Sequence, residues 1–192
     1  MELVFTKKLT GLNVLEVMHK TWFNNLELEK FRKVKAETHR LQVLQRLSSD
    51  AFVFVRDVAS PSKIAIFRSV FVRFVVEDTR ELLVNTFGAD KSPETHTGKG
   101  YVLGTHSVRA DQAHHFSEEE LSGKLAWANL ALSIGVFDVV DSSTGETNQY
   151  VRWAGRTDYC SEEHAQRNAS DTLQSLLRWE MFVIAPALSH LA

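Results

Sequence analysis

The stretch SLLRWEMFVIAPAL, residues Ser175–Leu188, predicts a long amphipathic helix near the end of the chain. Wound at about 100° per residue, it gathers most of its apolar side chains on one wide arc. The members of this arc are Leu173, Leu176, Leu177, Met181, Val183, Ile184, Ala187, Leu188 and Leu191. Glu180 falls in the middle of the arc, whereas Trp179 and Phe182 fall on the opposite, mostly polar side. A buried carboxylate without a partner is costly, so the pattern predicts that Glu180 meets a cation or a hydrogen-bond donor.

Six β-type segments precede this helix and give it a surface to pack against. They span residues 38–47, 51–58, 63–76, 100–108, 127–141 and 148–160. Their β-branched and aromatic composition and the turn residues between them predict strands joined as hairpins. The polar stretches 78–99 and 109–124 are predicted to be long loops.

The start of the chain adds a short strand over residues 3–9 and a helix over residues 12–25, followed by a weaker helical link over residues 26–37. The final helix is predicted to open near Ser161, because acidic residues follow it in the first turn. A run of strands with helices at its two ends is typical of the α+β class with an antiparallel sheet. The long helix then has the concave side of that sheet as its packing surface.

The third β-type segment, IAIFRSVFVRFVV, offers a partner for Glu180. Arg68 is the only charge on the even-numbered face of this strand, which is otherwise apolar. Two isolated opposite charges on faces expected to meet are natural partners across the layer. The sequence therefore predicts an ion pair between Glu180 and Arg68.

The overall composition is that of an ordinary globular domain. The chain has 192 residues, 44% of them hydrophobic and 24% charged, with a formal net charge of −2. This near-neutral charge gives no reason to expect nucleic acid as a partner, and no apolar run is long enough for a stable membrane insertion. The lone cysteine, Cys160, excludes an intrachain disulfide. Without a signal-like N-terminus, the expected location is cytoplasmic.

The order of these elements resembles the helix-grip fold of the START and Bet v 1-like superfamily. The resemblance covers nearly the whole chain and is closest to the START-like domains of oomycetes. The stretches that carry it are residues 41–61, 67–74 (FRSVFVRF), 100–108 (GYVLGTHSV), 155–159 (GRTDY) and 168–186. It implies a curved antiparallel sheet of six to seven strands wrapped around the C-terminal helix, with an N-terminal helix or helices. Residues 1–192 would form one START-like domain: an N-terminal strand and helical region (1–37), a sheet (38–160) and a helix (161–192).

The same resemblance implies non-catalytic binding of a lipid or other hydrophobic small molecule between the sheet and the C-terminal helix, without a cofactor. The Glu180–Arg68 pair would either anchor the polar end of the ligand or specify the fold. The expected ligand-binding residues are Arg68, Val70, Val72, Phe74, Leu132, Ile134, Val136, Trp153, Leu177, Glu180, Met181 and Ile184.

Two other functions stay open at this point. One is a protein-interaction module whose cavity is filled by side chains, with Trp179, Phe182, Phe67 and Phe71 forming a surface for a protein partner. The other is a cavity enzyme, as in some Bet v 1-like relatives, because Arg68, Glu180, Asp158 and Tyr159 include acid–base groups. These groups match no specific catalytic constellation, so the prediction is a protein that is not an enzyme.

The histidines predict no metal site. His96, His106, His114 and His115 lie near the acidic run Glu118–Glu120, but their spacing matches no familiar ligand set. A solvated loop is the favoured interpretation of these residues.

Overall fold

The computed structural model of the chain describes residues 1–59, 66–84, 94–108, 125–141, 144–158 and 162–189. The strands are β1 (Glu2–Leu9), β2 (Thr38–Arg46), β3 (Ala51–Ala59), β4 (Ile66–Val84), β5 (Glu94–Ser107), β6 (Leu125–Trp127), β7 (Asn129–Val140) and β8 (Thr147–Asp158). The helices are α1 (Val14–Asn24), α2 (Leu28–Val34), α3 (Glu162–Trp179) and α4 (Ala185–Ser189), and a π-helical turn (Glu180–Ile184) joins the last two. Here α3, this turn and α4 together are called the C-terminal helix.

Within these described ranges, seven strands form one antiparallel sheet in the order β1-β8-β7-β5-β4-β3-β2, and the short β6 adds to β4 in parallel. The helices cover one face of this sheet. Side chains of α1 and of the C-terminal helix, among them Met18, Trp22, Trp179 and Val183, share a core with Val136 and other residues of the strands. The predicted helix-grip architecture, with N-terminal helices and a C-terminal helix against a curved sheet, is confirmed.

The predicted loop over residues 78–99 is wrong, because most of that segment is strand. β4 continues to Val84 and β5 starts at Glu94, so the two strands pair over a long ladder from Phe71–Ser107 to Val84–Glu94. Gly98, a residue type typical of loops, lies within β5, where a Cβ atom would come within 3.0–3.1 Å of side-chain atoms of Leu82, Phe137 and Val139. Glycine is explained there by the close packing of neighbouring side chains and not by a turn.

The buried face of the C-terminal helix is rotated relative to the sequence prediction. Trp179, predicted on the polar side, is 1% exposed, whereas Leu177 and Met181 are 60% and 67% exposed. The indole Nε1 of Trp179 donates to Thr21 Oγ1 at 3.1 Å, which satisfies its only polar atom. The apolar arc is wider than the surface that the sheet covers, and the π-helical turn changes the helical phase after Trp179, so the centre of the arc does not mark the buried face.

The assignment of faces on β4 is also reversed. The odd-numbered residues face the helices, as shown by Phe71, which stacks on Phe54 of β3 at a centroid distance of 5.7 Å and shares a cluster with Phe31 of α2. The even-numbered Val70 packs on the outer face with Val53 and Val55. This outer cluster is completed by partly buried residues, namely Leu44, Val72, Val108 and Trp127. A strand buried on both faces is apolar on both, so alternation could not identify the inner one.

Among the described residues, no helix has both the length and the apolar character needed to cross a membrane. Ser161, where the final helix was predicted to open, lies outside the described residues, and α3 is described from Glu162. Cys160, Tyr159 and the stretch 109–124, with its two histidines and three glutamates, also lie outside them.

Candidate functional site

A cavity of about 100 Å³ lies between the inner face of the sheet, the α2 region and the C-terminal helix. Its described lining is largely apolar and aromatic, with a few polar side chains. The lining residues are Leu3, Asn25, Phe31, Val34, Lys35, Arg56, Arg73, Leu103, Thr105, Leu130, Leu132, Ser133, Ile134, Trp153, Ala154, Thr157, Thr172, Ser175 and Trp179. The cavity therefore lies at the interface between the sheet and the C-terminal helix.

Arg73 of β4 is the most deeply buried charged side chain in this described lining, with 3% of its surface exposed. Its Nη1 donates to the backbone carbonyl of Asn25 at 2.7 Å, and its Nε donates to Thr105 Oγ1 at 3.2 Å. The guanidinium carbon lies 4.9 Å from the ring centroid of Phe71 and 5.1 Å from that of Phe31. Aromatic faces and neutral acceptors thus hold this cation, and none of the described carboxylates lies within ion-pair distance of it.

Arg56 of β3 is a second buried cation in the same lining. Its guanidinium carbon lies 5.6 Å from the Phe71 ring centroid, and Arg73 is on the other side of the Phe54–Phe71 pair. Burial, and secondly the charge of Arg56, lower the pKa of Arg73 from its ordinary value to about 9. Arg73 is still protonated at neutral pH, so the cavity wall there is positive.

Two further polar atoms in the lining are buried and make no hydrogen bond within the described part of the chain. They are the indole Nε1 of Trp153 and the hydroxyl of Thr157, both on β8. Buried polar groups normally have partners, and an indole N–H can only donate. These two atoms therefore mark a second place where a bound molecule or water would find a donor.

Two ion pairs fasten the C-terminal helix beside the cavity. Lys35, which follows α2 and lines the cavity, pairs with Asp171 of α3. Lys7 Nζ of β1 lies 2.7 Å from Glu180 Oε2 in the π-helical turn. The two contacts tie the helix to both ends of the N-terminal region, so any widening of the cavity by movement of the helix would strain or break them.

The predicted pair between Glu180 and Arg68 is not formed. Glu180 pairs with Lys7 near the surface, whereas Arg68 Nε and Nη2 lie 2.8 Å from the two carboxylate oxygens of Asp57. The reason is the face of β4, because Arg68 and Asp57 lie on the outer side of the sheet and the helix lies on the inner side.

The structure brings only some of the predicted ligand-binding residues to the cavity. Leu132, Ile134 and Trp153 line it. Val136 and Ile184 are buried in the adjoining core without lining it. The others lie elsewhere: on the outer face (Arg68, Val70, Val72, Phe74), on the exposed side of the helix (Leu177, Met181) or in the ion pair with Lys7 (Glu180).

Sequence reasoning did not identify Arg56 and Arg73 as cavity residues, although a signal for them was present. Each interrupts an otherwise apolar strand, and the β3–β4 pairing opposes Phe54 to Phe71. Residues two positions away on either strand share the face of this pair. Both arginines would have followed from the hairpin register, had the inner face been known.

Comparisons with known proteins come from structure alone. No family model matches the sequence, and no curated protein matches it. Three human structures match over most of this chain. They are the lipid transfer and protein localization domain of StarD13 (DLC2; TM-score 0.55, 11% identity, 94% of this chain and 75% of that chain), STARD10 (0.55, 13%, 95% and 63%) and StAR-related lipid transfer protein 5 (0.50, 10%, 95% and 74%).

Identities this low establish the fold and leave the ligand open. The chain also spans less than two thirds of the STARD10 structure that it matches. The narrower resemblance to START-like domains of oomycetes stays a prediction. The match to the StarD13 domain nevertheless extends over 94% of this chain, with a TM-score of 0.55. The chain therefore has the helix-grip fold of the START domains.

Proposed function

We propose that the protein binds one hydrophobic small molecule in the cavity between the sheet and the C-terminal helix, and releases it chemically unchanged. The observation that carries this proposal is the cavity itself, which is apolar over most of its wall and offers polar donors at a few fixed points. This combination is typical of ligand sites. The names of two structural neighbours, the StarD13 domain and StAR-related lipid transfer protein 5, describe lipid transfer, which supports the same ligand class.

The size of the cavity limits the ligand. About 100 Å³ is well below the ~300 Å³ at the lower end of sites for drug-sized molecules. A short or compact molecule fits with the C-terminal helix where it is. A long lipid chain requires the helix to move outward, against the ion pairs Lys35–Asp171 and Lys7–Glu180.

The chemistry of the wall supports binding without catalysis. Its described residues include no Asp, Glu, His or Cys, so no acid–base or nucleophilic pair faces the cavity from this part of the chain. Glu180 and Asp158, which the sequence offered as acid–base groups, are not in the lining. A cytoplasmic location belongs to this proposal and stays a prediction.

Most residues of the alternative protein-interaction surface are buried and cannot contact a partner. Phe67, Phe71 and Trp179 are buried, and only Phe182 of the predicted surface is exposed. That alternative also requires side chains to fill the cavity, whereas about 100 Å³ is left open.

The test compares two tryptophan variants of β7. Leu132→Trp places a large ring in the cavity, and Val140→Trp adds the same ring at an exposed position of the same strand. Native mass spectrometry measures any co-purified small molecule, and hexanol and dodecanol are added as defined probes whose binding raises the melting temperature. We expect binding by the parent and by Val140→Trp, and its loss in Leu132→Trp.

The proposal is overturned if neither alcohol binds and no small molecule co-purifies with the parent. It is also overturned if Leu132→Trp, shown to be folded by circular dichroism, binds hexanol as the parent does.

A further inference from the structure

We propose that two copies of this chain associate edge to edge, with β1 of one copy paired antiparallel to β1 of the other around Phe5. The inference goes beyond the proposed function and does not depend on it. Its basis is an open strand edge whose backbone groups and outer-face side chains complement those of the same edge in a second copy.

β1 ends the described sheet on one side, and it pairs with β8 over Glu2–Leu9 without a register shift. Within the described part of the chain, no backbone group bonds to the other side of this strand. The opposite edge strand, β2, differs, because its ladder with β3 is interrupted by two register shifts. Such irregularities protect an edge from pairing, whereas a regular edge is a template for a further strand.

The hydrogen bonds of Met1 show which backbone groups face the open edge. The amino group of Met1 donates to the carbonyl of Thr157 at 2.8 Å, and the amide of Thr157 donates to the carbonyl of Met1 at 2.9 Å. In an antiparallel ladder, such doubly bonded pairs alternate with pairs that exchange no hydrogen bond. The odd-numbered residues of β1 therefore bond to β8, and the even-numbered ones direct their N–H and C=O groups to the open edge. The even-numbered residues are Glu2, Val4, Thr6 and Lys8.

These even-numbered residues pair with one another in one antiparallel register. When Phe5 lies opposite Phe5 of the second copy, Glu2 lies opposite Lys8 of that copy. In the same register Val4 lies opposite Thr6, and each of these pairs can exchange two hydrogen bonds. A two-fold axis through the Phe5 pair repeats both pairs, as in an isologous interface. A shift of the register by two residues in either direction leaves Glu2 or Lys8 without a charged partner.

The side chains along this edge complement each other in the same register. Glu2 and Lys8 are exposed, and neither forms an ion pair within the described part of its own chain. Opposite charges that face each other across an antiparallel pair attract, and the two-fold axis forms two such pairs. Val4, with 62% of its surface exposed, meets the β-branched Thr6. The edge therefore favours a second copy of this chain over a strand of unrelated sequence.

The C-terminal helix presents apolar side chains beside the same edge. Glu180 of this helix contacts Lys7 of β1. Leu177 and Leu173 lie one and two turns earlier on the same side of the helix, and they are 60% and 61% exposed. A two-fold axis perpendicular to the sheet keeps the helices of both copies on one side of the joined sheet. These leucines can therefore add apolar contact to the short strand pair.

The test is a charge exchange measured by sedimentation velocity on the purified chain, with its affinity tag placed after Ala192. The parent is expected to approach twice the mass of one chain at about 100 µM, because a short strand pair forms a small and weak interface. Glu2→Lys and Lys8→Glu each put like charges at both cross-copy pairs, which should weaken the association at least about tenfold. Glu29→Lys, which reverses an exposed charge on α2, is the matched control and should leave the association unchanged.

A mixture of the Glu2→Lys and Lys8→Glu variants has opposite charges at both cross-copy pairs. The mixture should dimerise about as well as the parent, although neither variant does so alone, and this restoration shows that both variants are folded. Thr6→Pro is an independent test, because it removes an N–H that faces the open edge and takes no part in the pairing with β8. This variant should stay monomeric with a melting temperature close to that of the parent.

The proposal is overturned if the parent stays monomeric at the highest concentration. It is also overturned if Thr6→Pro, shown to be folded by circular dichroism, dimerises as the parent does, because the contact then lies on another surface. If the mixture of the two charge variants does not dimerise, this register is wrong and the proposal fails with it. The mixing experiment decides alone if Thr6→Pro does not fold. None of these measurements uses a cavity ligand, so their outcome is separate from that of the proposed function.

Discussion

Arg68 and Asp57 form a bidentate ion pair on the outer face of the sheet, with both N–O distances at 2.8 Å. The two residues are direct partners in the β3–β4 register, and Arg68 is completely buried. Parallel N–H···O contacts of this kind are the strongest geometry available to an arginine and a carboxylate. The charge of Arg68, which the sequence predicts to pair with Glu180 of the C-terminal helix, is therefore neutralised on the opposite side of the sheet.

Replacing one member of this pair should destabilise the fold strongly. Asp57→Leu takes the bidentate partner from a buried guanidinium, which should lower the free energy of unfolding by about 3–5 kcal/mol. The double variant Asp57→Leu with Arg68→Met should recover much of that loss, because it removes the buried charge as well. Urea denaturation of the parent, both single variants and the double variant measures the coupling. Equal stability of the Asp57→Leu variant and the parent would contradict the assignment.

The ion pair of Glu180 should contribute far less. Its partner Lys7 has a side chain that is 41% exposed, so water and salt screen the attraction. Glu180→Leu and Lys7→Leu should each change the free energy of unfolding by about 1 kcal/mol or less. The same urea series tests this, with Asp57→Leu as the buried reference. A loss from Glu180→Leu as large as that from Asp57→Leu would show that the helix depends on this contact.

These two pairs show what the sequence could predict and what it could not. Composition and the order of strand and helix patterns predict an α+β fold with an antiparallel sheet and a long final helix, because each element has a strong local signal. The helix-grip architecture is what the resemblance to the START and Bet v 1-like superfamily implies. The faces of β4 and of the C-terminal helix were assigned wrongly. Val70 and Phe71 both lie on buried faces of one strand, and Leu177 is apolar but exposed. Hydrophobic patterns identify a buried face only when the other face is polar.

The predicted set of cavity residues depends on these two face assignments, that of β4 and that of the C-terminal helix. Leu132, Ile134 and Trp153 line the cavity because the pairing of β7 with β8 brings them to its inner face, and their role in ligand binding stays a prediction. Arg73 lies on the odd-numbered face of β4, whereas the sequence prediction directs the even-numbered face, with Arg68, towards the helix. Its ring contacts depend on residues distant in the chain, among them Phe31, which local patterns do not reveal.

Two glycines with positive φ should respond differently to the same substitution. Gly155 has φ of 150°, and a Cβ atom there would collide with the carbonyl oxygen of Ala131 on β7. Gly155→Ala should therefore cost about 3 kcal/mol or more in unfolding free energy, through both backbone strain and the clash. Gly145 has φ of 72° and open space around it, so Gly145→Ala should cost about 1 kcal/mol. Thermal denaturation of the two variants provides the comparison, and equal losses would contradict the close approach of β7 and β8.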